Sequence, residues 1–340
     1  MKKSSKILSC IMAGAMALSL AACGGSSSSA ASSSGSASAS ASASASTSAS
    51  ADGKTYQIGV LQLTQHAALD AANKGFFEAL DDAGIKYEAD QQNAAGEQST
   101  CQTIADKFVN DGKDLIFAIA TPAAQAVAGV TTDIPIVLTA VTDPAESGLV
   151  ESNDAPGGNV TGTSDLTPVK EQIELLQKIL PDAKKVGILY CSAESNSVLQ
   201  AEMAKEACEA AGLEYADYTV SNSNEIQSVV ESMVGKVDAI YTPTDNMIAA
   251  GMATVAMVAN DNKIPTICGE EGMVNAGGLA TYGINYEKLG YLAGKQAADI
   301  LTGKADPAKT PIGYLSADEC QLTVNEDTAA ELGIDVSSLK

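Results

Sequence analysis

Short apolar runs alternate with segments of helical periodicity from residue 56 to residue 283. In the first half, the pattern predicts strands in "YQIGVLQL", "IKYEAD", "DLIFAIA" and "IPIVLTA", with helices over residues 70–84 and 97–112 and a third beginning at Thr121. In the second half, it predicts strands in "KVGILY", "LEYADYTV", "VDAIYTP" and "IPTICG", with helices over residues 195–212, 224–234 and 246–262. A last helix is expected in "NYEKLGYLAGKQAADILTG", and a turn over residues 328–333.

The two halves repeat one another at a nearly constant spacing. Gly59 and Gly84 correspond to Gly187 and Gly212, which come 128 residues later in each case. Strands that alternate with crossover helices form parallel sheets with helices on both faces. The sequence therefore predicts an α/β fold of two similar doubly wound parallel-sheet lobes joined by a hinge. Because ligands bind outside the carboxyl ends of such strands, we expect a ligand cleft between the lobes.

The expected lobes are each built from two pieces of the chain. The N-terminal lobe should comprise residues 54–163 plus 286–312, and the C-terminal lobe residues 164–285 plus 313–340. The helix in "NYEKLGYLAGKQAADILTG" would then return to the first lobe before the chain crosses back.

The N-terminal residues have the pattern of an export signal. Three lysines precede an apolar run over residues 7–22, which is too short for a comfortable membrane span. The string "LAAC" resembles the lipobox of bacterial lipoproteins, so we expect a signal peptide over residues 1–22 and a lipid on Cys23. Residues 23–53 are mostly Ser, Ala and Gly and should form a disordered tether. An ordinary signal peptide with an incidental cysteine is the alternative, and it leaves this tract unexplained.

The chain is strongly acidic. Its 20 basic residues, all lysine, stand against 42 acidic residues and give a net charge of −22, or −25 without the three lysines of the signal peptide. Such a charge repels phosphate backbones and anionic lipids, so we expect no nucleic-acid partner and membrane attachment only through the lipid. Because the chain has no arginine, a ligand carboxylate must be held by hydroxyls and helix N-termini instead of a guanidinium group.

Residues suited to catalysis or metal binding are sparse. His66 is the only histidine, and the sequence has no Gly-x-Ser-x-Gly, His-Glu-x-x-His or phosphate-loop motif and no Cys-x-x-Cys pair. We therefore expect a protein that is not an enzyme and has no cofactor and no metal site. Five cysteines follow Cys23, and the sequence leaves open whether any of them pair. They are Cys101, Cys191, Cys208, Cys268 and Cys320.

Polar residues at the ends of the predicted strands are the candidate ligand contacts. They are Gln65, His66, Thr121, Thr142, Asp143, Tyr190, Ser195, Asn196, Ser197, Asp245, Asn246 and Glu271. Thr121 is placed as a helix N-cap with Pro122 at the first helical position, which would leave the N–H groups of Ala123 and Ala124 free for an anion. "TDPAESG" repeats this arrangement at Thr142. Each threonine alone is better explained as a simple helix cap or turn, but two of them at facing ends of adjacent strands favour a ligand contact.

A cationic ligand group would need a carboxylate across the cleft. Asp245 is the first choice because it follows a buried strand, where an unpaired charge is costly, although it could instead cap the next helix. Tyr190 could line an apolar pocket or lie in the core. Glu270 and Glu271 are weaker candidates, since adjacent acidic residues on an acidic protein usually form a solvated face.

Several strings in the chain are familiar from one family. They are "HAALDAANKGFFEAL", "QNAAGEQST", "DLIFAIATPAAQA", "PIVLTAVTDPAESGLV", "GGNVTGTSDLTP", "YCSAESNS", "YTPTDN" and "INYEKLG". On these strings the chain resembles the ABC-transporter substrate-binding lipoproteins that include tryptophan- and tyrosine-type binders, whose fold is similar to the periplasmic-binding-protein type I class. The resemblance implies a hinge near residues 162–165, 282–285 and 311–314.

The resemblance also implies a function. It indicates an extracytoplasmic, lipid-anchored monomer that closes on a small amino acid, preferably apolar or aromatic, and delivers it to an ABC permease in the membrane. A sugar or other small-molecule receptor of the same fold is one alternative. A sensor that docks on a signalling protein and a lipid-tethered enzyme are the others.

Overall fold

The computed structural model describes residues 53–339. The expected signal peptide, Cys23 and the tether before residue 53 lie outside the described residues. Within the described range, no helix has both the length and the apolar character that crossing a membrane requires. The five cysteines of this range are free thiols, and four of them are buried.

Five parallel strands form the first sheet, in the order β2-β1-β3-β4-β5. The strands are β1 (Tyr56–Gln62), β2 (Tyr87–Asn93), β3 (Leu115–Ile119), β4 (Ile136–Val141) and β5 (Val160–Ser164). The helices between them are α1 (Ala67–Asp82), α2 (Gln98–Asn110) and α3 (Thr121–Ala128).

Six strands form the second sheet, in the order β11-β10-β9-β8-β6-β7, with only β11 antiparallel. The strands are β6 (Lys185–Cys191), β7 (Glu214–Val220), β8 (Ala239–Thr242), β9 (Thr266–Cys268), β10 (Ala280–Gly283) and β11 (Gln321–Val324). The remaining α-helices are α4 (Val169–Ile179), α5 (Ser195–Ala211), α6 (Ile226–Met233), α7 (Asn246–Ala250), α8 (Met252–Asp261), α9 (Glu271–Asn275), α10 (Tyr286–Leu301) and α11 (Glu326–Leu332). The predicted fold class, two parallel-sheet α/β lobes, is confirmed.

The central strands are apolar because helices cover both faces of each sheet. Every residue of β3 and β4 is buried, whereas the edge strands β2 and β7 expose part of their residues. In the first lobe, Phe117 of β3 stacks on Phe76 of α1 with ring centroids 3.7 Å apart. Leu289 and Ala293 of α10 belong to the same core, so this late helix packs on the first sheet.

Several elements differ from the sequence predictions. The expected helix over residues 246–262 is broken at Gly251, where a Cβ atom would lie 2.4 Å from Cδ1 of Ile226. The expected turn over residues 328–333 is mostly the helix α11, whose first turn is capped by Asn325. The strand β5 and the helix α4 were not predicted: "VTGTS" carries a weak strand signal, whereas "VKEQIELLQKI" has apolar residues at helical spacing and its helix was missed.

The chain passes between the two sheets three times. It leaves the first sheet after β5, returns after β10 to form α10, and crosses again after Gly313, which pairs with Thr163 of β5. These crossings fall within residues 162–165, 282–285 and 311–314, the segments expected to form the hinge.

Candidate ligand-binding cleft

The carboxyl ends of the two sheets border a common cleft. Loops after β1, β2 and β3 form one wall of a cavity of about 440 Å³, and loops after β6, β7 and β8 form the other. This volume is in the range of small-molecule sites. Its lining includes Leu63, Glu97 and Pro122 from the first lobe and Glu194, Asn246 and Met247 from the second. None of the described residues that line it is aromatic.

Glu194 borders this cavity although its side chain is almost fully buried. It directly precedes α5, and its carboxylate reaches the start of α7. Oε2 accepts hydrogen bonds from the side-chain and backbone N–H groups of Asn246 (2.5 and 3.3 Å), and Oε1 accepts one from the backbone of Met247 (3.1 Å). Burial raises the pKa of Glu194, and the negative charge of Asp245 raises it further. The ionised form is therefore disfavoured at this position.

Asp245 is fully buried and caps α7. Its Oδ1 accepts from the N–H of Ile248 (2.8 Å), and its Oδ2 accepts from the N–H of Cys191 (2.6 Å) at the end of β6. Burial raises the pKa of Asp245, while these backbone donors act in the opposite direction. Unlike Glu194, Asp245 is not among the residues that line the cavity. Its carboxylate ties the start of α7 to the end of β6.

Four buried carboxyl groups lie at the cleft or at the lobe crossings without a lysine partner. They belong to Asp165, Glu194, Asp245 and Glu270. All the ion pairs formed by the described residues join lysines to other carboxylates. A buried carboxylate without a cation is costly. This part of the molecule therefore suits a ligand that carries a positive group.

Thr121 lies at the start of α3 and directly precedes Pro122, which is part of the opposite wall. The N-cap is Ala120, so Thr121 is the first helical residue, one position later than expected. Its hydroxyl is buried and forms no hydrogen bond to the described residues. The N–H of Ala124, expected to be free, donates to the carbonyl of Ala120 (3.0 Å) as the first bond of the helix. Thr121 therefore does not cap α3, and its hydroxyl is available for another partner.

The backbone before Thr121 is strained. Ala120 has φ 85° and ψ 153°, a region that only glycine populates readily, and Ala140 near the end of the neighbouring strand has φ 55°. β4 also changes register between Leu138 and Val141. Two of the four non-glycine residues with positive φ in the described range thus lie at or near the carboxyl ends of β3 and β4.

Thr142 takes part in a buried contact between the lobes. Its hydroxyl accepts a hydrogen bond from Nε2 of Gln200 on α5 (2.9 Å), and the same nitrogen donates to the hydroxyl of Thr244 (2.6 Å). Gln200 is fully buried. The amide therefore joins the end of β4 in the first lobe to the end of β8 in the second.

His66 forms another contact between the lobes. Its Nε2 lies 3.3 Å from Oδ1 of Asn246, while its Nδ1 is buried and has no partner among the described residues. Burial lowers the pKa of His66, so the neutral ring is favoured at neutral pH. Its neighbour Gln65 is exposed, and Nε2 of Gln65 donates a hydrogen bond to Oδ2 of Asp70 (3.4 Å).

The start of α5 contributes three consecutive polar residues. Asn196 is buried, its Nδ2 donates to the carbonyl of Thr244 (3.3 Å), and its Oδ1 has no partner among the described residues. Ser197 is fully buried, and its hydroxyl lowers the pKa of Asp245. Ser195 is exposed and accepts a hydrogen bond from Gln125 of the first lobe (3.4 Å).

Three predicted contacts lie apart from this group. Tyr190 packs into the core of the second lobe. Asp143 accepts hydrogen bonds from the backbone of Ala145 (3.0 Å) and from the side chain of Asn153 (2.9 Å), which stabilises the turn after β4. Glu271 is exposed. Its neighbour Glu270, taken from sequence as part of a solvated face, is instead buried and caps α9.

A second group of carboxyls lies where the chain crosses between the lobes. Tyr286 at the start of α10 donates its hydroxyl to Oδ2 of Asp165 (2.7 Å). Burial raises the pKa of Asp165 to about 6 and that of Glu270 to about 7. The negative charge of Asp165 contributes to the shift at Glu270, so the two carboxyls influence each other.

Sequence reasoning missed Glu194 and Gln200. Glu194 immediately precedes Ser195 at the end of β6, so the same strand-end argument applied to it. Gln200 lies one helical turn after Asn196, on the same face of α5, and this spacing was the available signal. Their burial could not be read from the sequence, because both residue types are usually exposed.

Comparisons with known proteins place the chain in a family. Residues 57–338 match the model of the ABC transporter substrate binding protein family. A tyrosine-binding protein of Clostridioides difficile (strain R20291) is 44% identical over 338 residues, which cover 98% of this chain and 93% of that protein. The family and this relative are binding proteins, which confirms the prediction that the chain is not an enzyme.

Two solved structures of similar sequence differ in how well they superpose. An ABC domain from Streptococcus pneumonia in complex with L-Trp is 40% identical, covers 84% of this chain and 97% of its own, and has a TM-score of 0.81. A ligand-free, open substrate-binding protein from Clostridium difficile is 44% identical with the same coverages, but its TM-score is 0.64. The lobe arrangement described here is thus closer to that of the Trp complex. By sequence and by fold, the chain belongs to the ABC transporter substrate-binding protein family.

Proposed function

We propose that this protein is the receptor of an ABC importer, which binds an aromatic amino acid between its lobes and delivers it to a membrane permease. The observation that carries the proposal is the cavity of about 440 Å³ between the lobes, bordered by a buried carboxylate that no lysine of the described residues neutralises. An amino acid supplies the missing positive charge. The relatives that bind tyrosine or tryptophan support an aromatic side chain.

Each part of such a ligand has a complementary surface in the cleft. The unpartnered hydroxyl of Thr121, at the N-terminus of α3, suits the ligand carboxylate because helix N-termini favour anions. Leu63, Pro122 and Met247 offer apolar surface for an aromatic ring. A sugar is a poorer match, since sugar sites usually provide aromatic rings for stacking and the lining residues include none.

We further propose that the molecule acts as an extracytoplasmic monomer held at the membrane by a lipid on Cys23. The net charge of −22 gives it no electrostatic affinity for anionic lipid, so attachment needs a separate anchor. Substituting Cys23→Ala should release the protein into the soluble fraction of producing cells. Membrane retention of this variant would contradict the anchor.

The ligand class is tested by titrating the twenty amino acids into residues 53–340 with calorimetry and thermal shift. We expect L-tryptophan or L-tyrosine to bind and raise the melting temperature, because a ligand that binds only the folded state stabilises it. The ligand should be recovered unchanged. Absence of binding by any amino acid, with binding of a sugar instead, would overturn the proposal.

A further inference from the structure

The two neighbouring carboxyls Glu194 and Asp245 have different surroundings. Glu194 borders the cavity, whereas both oxygens of Asp245 accept backbone N–H groups and Asp245 is not in the lining. We propose that Glu194, and not Asp245, receives the ammonium group of the amino acid, and that it gives up a proton when it does so. The inference rests on the proposed function, since it assumes an amino-acid ligand.

Access is the first argument. The three hydrogen bonds that Glu194 accepts come from Asn246 and Met247, on the second-lobe side of the cavity. A carboxylate can accept about four hydrogen bonds, so capacity for an ammonium donor remains. For Asp245 to reach a ligand, it would have to release the N–H of Cys191 or of Ile248, which would leave a buried donor unpaired.

The polar atoms around the cavity also indicate a ligand. The hydroxyl of Thr121 and Oδ1 of Asn196 are both buried, and neither has a partner among the described residues. Neither residue is in the lining itself, but Thr121 directly precedes the lining residue Pro122, and Asn196 follows the lining residue Glu194 by two positions. Buried polar atoms are normally hydrogen-bonded, so these two unpartnered atoms near lining residues point to an external partner. Thr121 belongs to the first lobe and Asn196 to the second, so a ligand that reaches both would join the lobes.

The charges that face Glu194 decide its protonation. Asp245 lies behind it, Cys191 borders the cavity at the end of β6, Glu97 lines the opposite wall, and His66 contacts Asn246 from the first lobe. Burial raises the pKa of the Cys191 thiol to about 12 and lowers the pKa of His66, so neither is charged at neutral pH. Among the described residues, no positively charged side chain pairs with Glu194 to hold it ionised before the ligand arrives.

Ligand binding should consequently replace the proton on Glu194 with the positively charged ammonium group of the ligand. Before binding, burial and Asp245 raise the pKa of Glu194 and favour its protonated form. The incoming ammonium group favours the carboxylate, so the O–H bond of Glu194 breaks and the proton passes to the solvent. Because a proton is a product of binding, affinity should rise with pH until Glu194 is already ionised in the free protein.

The experiment is calorimetric titration of L-tryptophan and L-tyrosine from about pH 6 to about pH 8, in buffers that differ in ionisation enthalpy. Wild-type protein should release up to one proton per ligand bound. Glu194→Gln, which keeps the size of the side chain, should weaken binding roughly thirtyfold at the upper pH and release no proton. Its affinity should be nearly independent of pH, so that the difference from wild type shrinks as the pH falls.

One variant and one ligand analogue serve as controls. Glu271→Gln removes an exposed carboxyl that is not in the cavity lining and should leave both affinity and proton release unchanged. Indole-3-propionate, which lacks the amine, should bind more weakly than L-tryptophan to wild type and equally to wild type and Glu194→Gln.

The outcomes separate the two proposals. If wild type binds neither amino acid, the proposed function fails. If it binds them and Glu194→Gln binds equally well with the same proton release, the function stands and the role of Glu194 is refuted. Thermal melting checks that Glu194→Gln is folded. Should it not fold, Glu194→Asp must retain proton release with weaker binding, and loss of proton release in that variant would overturn the assignment.

Discussion

Thr121 shows at residue scale how a side chain can resemble a helix cap without being one. It precedes a proline at the start of a helix, yet its hydroxyl forms no hydrogen bond to the described residues. Thr266 in β9 provides a comparison, since its hydroxyl is also buried and unpartnered among the described residues but lies within a strand, whereas Thr121 directly precedes Pro122 of the cavity lining. Comparing variants at Thr121 and Thr266 therefore distinguishes a hydroxyl that contacts the ligand from one that is only buried.

We predict that Thr121→Val and Thr266→Val both raise the free energy of unfolding slightly, by up to about 1 kcal/mol, because each removes an unsatisfied buried hydroxyl. Only Thr121→Val should weaken amino-acid binding, by about 1–2 kcal/mol. Chemical denaturation and calorimetry measure the two quantities. Equal ligand affinity in the two variants would exclude Thr121 from the site.

Asp245 has a structural role that can be tested separately from binding. Asp245→Asn would place an amide nitrogen against the N–H of Cys191 or of Ile248 and remove one of the two backbone hydrogen bonds that Asp245 accepts. We predict a loss of about 2 kcal/mol in unfolding free energy, since a buried hydrogen bond to a charged group is lost. Asp306→Asn is the control, because Asp306 caps an exposed turn where asparagine serves equally well. A loss no larger than that of the control would contradict the structural role.

At the scale of elements, the close contact between α1 and α10 sets the position of the lobe crossing. Gly290 of α10 lies so close to α1 that a Cβ atom on it would be 1.9 Å from the carbonyl oxygen of Ala72. A Cβ atom on Gly75 of α1 would likewise be 1.9 Å from the carbonyl oxygen of Glu287. Small residues at such a crossing let the two backbones touch. Because α10 directly follows residues 282–285, this contact anchors that crossing on the first lobe.

Gly290→Ala should therefore destabilise the protein by about 2–3 kcal/mol despite the better helix propensity of alanine, because overpacking against backbone cannot be relieved by a rotamer change. Gly158→Ala is the matched control. It lies before β5 with no atom within 4 Å of the added methyl group and should be nearly neutral. Urea denaturation of both variants gives the comparison, and a neutral Gly290→Ala would show that α1 and α10 can separate without cost.

At the scale of the whole molecule, the buried carboxyls predict how stability depends on pH. The folded pKa is about 6 for Asp165 and about 7 for Glu270, against ordinary values of 3.8 and 4.5. At pH values between the ordinary pKa and the raised folded pKa of each group, the folded state binds more protons than the unfolded state. The free energy of unfolding therefore falls as the pH rises through this window. Each group should contribute a loss of up to about 3 kcal/mol by pH 8.

Thermal melting of the ligand-free protein should thus give a higher melting temperature near pH 5 than near pH 8. Glu270→Gln should flatten this dependence, whereas Glu271→Gln, next to it but exposed, should not. Carboxylates with lowered pKa, such as Asp90 and Asp114, affect stability only at lower pH. A melting temperature that rises steadily toward pH 8 would contradict the burial of Asp165 and Glu270.

The sequence by itself determined the fold class. Apolar runs alternating with helical periods, repeated 128 residues apart, specify two parallel-sheet lobes because this pattern can bury its strands only beneath helices on both faces. It also located the cleft at the strand ends and brought Thr121, Asn196 and Asn246 forward as candidates. These inferences depend on local periodicity and on a topological rule, both of which are encoded along the chain.

The tertiary structure alone decided which polar groups are buried, partnered or left without a partner. Asp245 and Glu194 are equivalent acidic residues at strand ends in the sequence, yet one is saturated by backbone donors and the other borders the cavity. Glu270 and Glu271 are adjacent, yet only the first is buried. Such differences arise from contacts between residues distant along the chain, as between Glu194 and Asn246. The energy of a charge depends on those contacts and not on its neighbours in sequence.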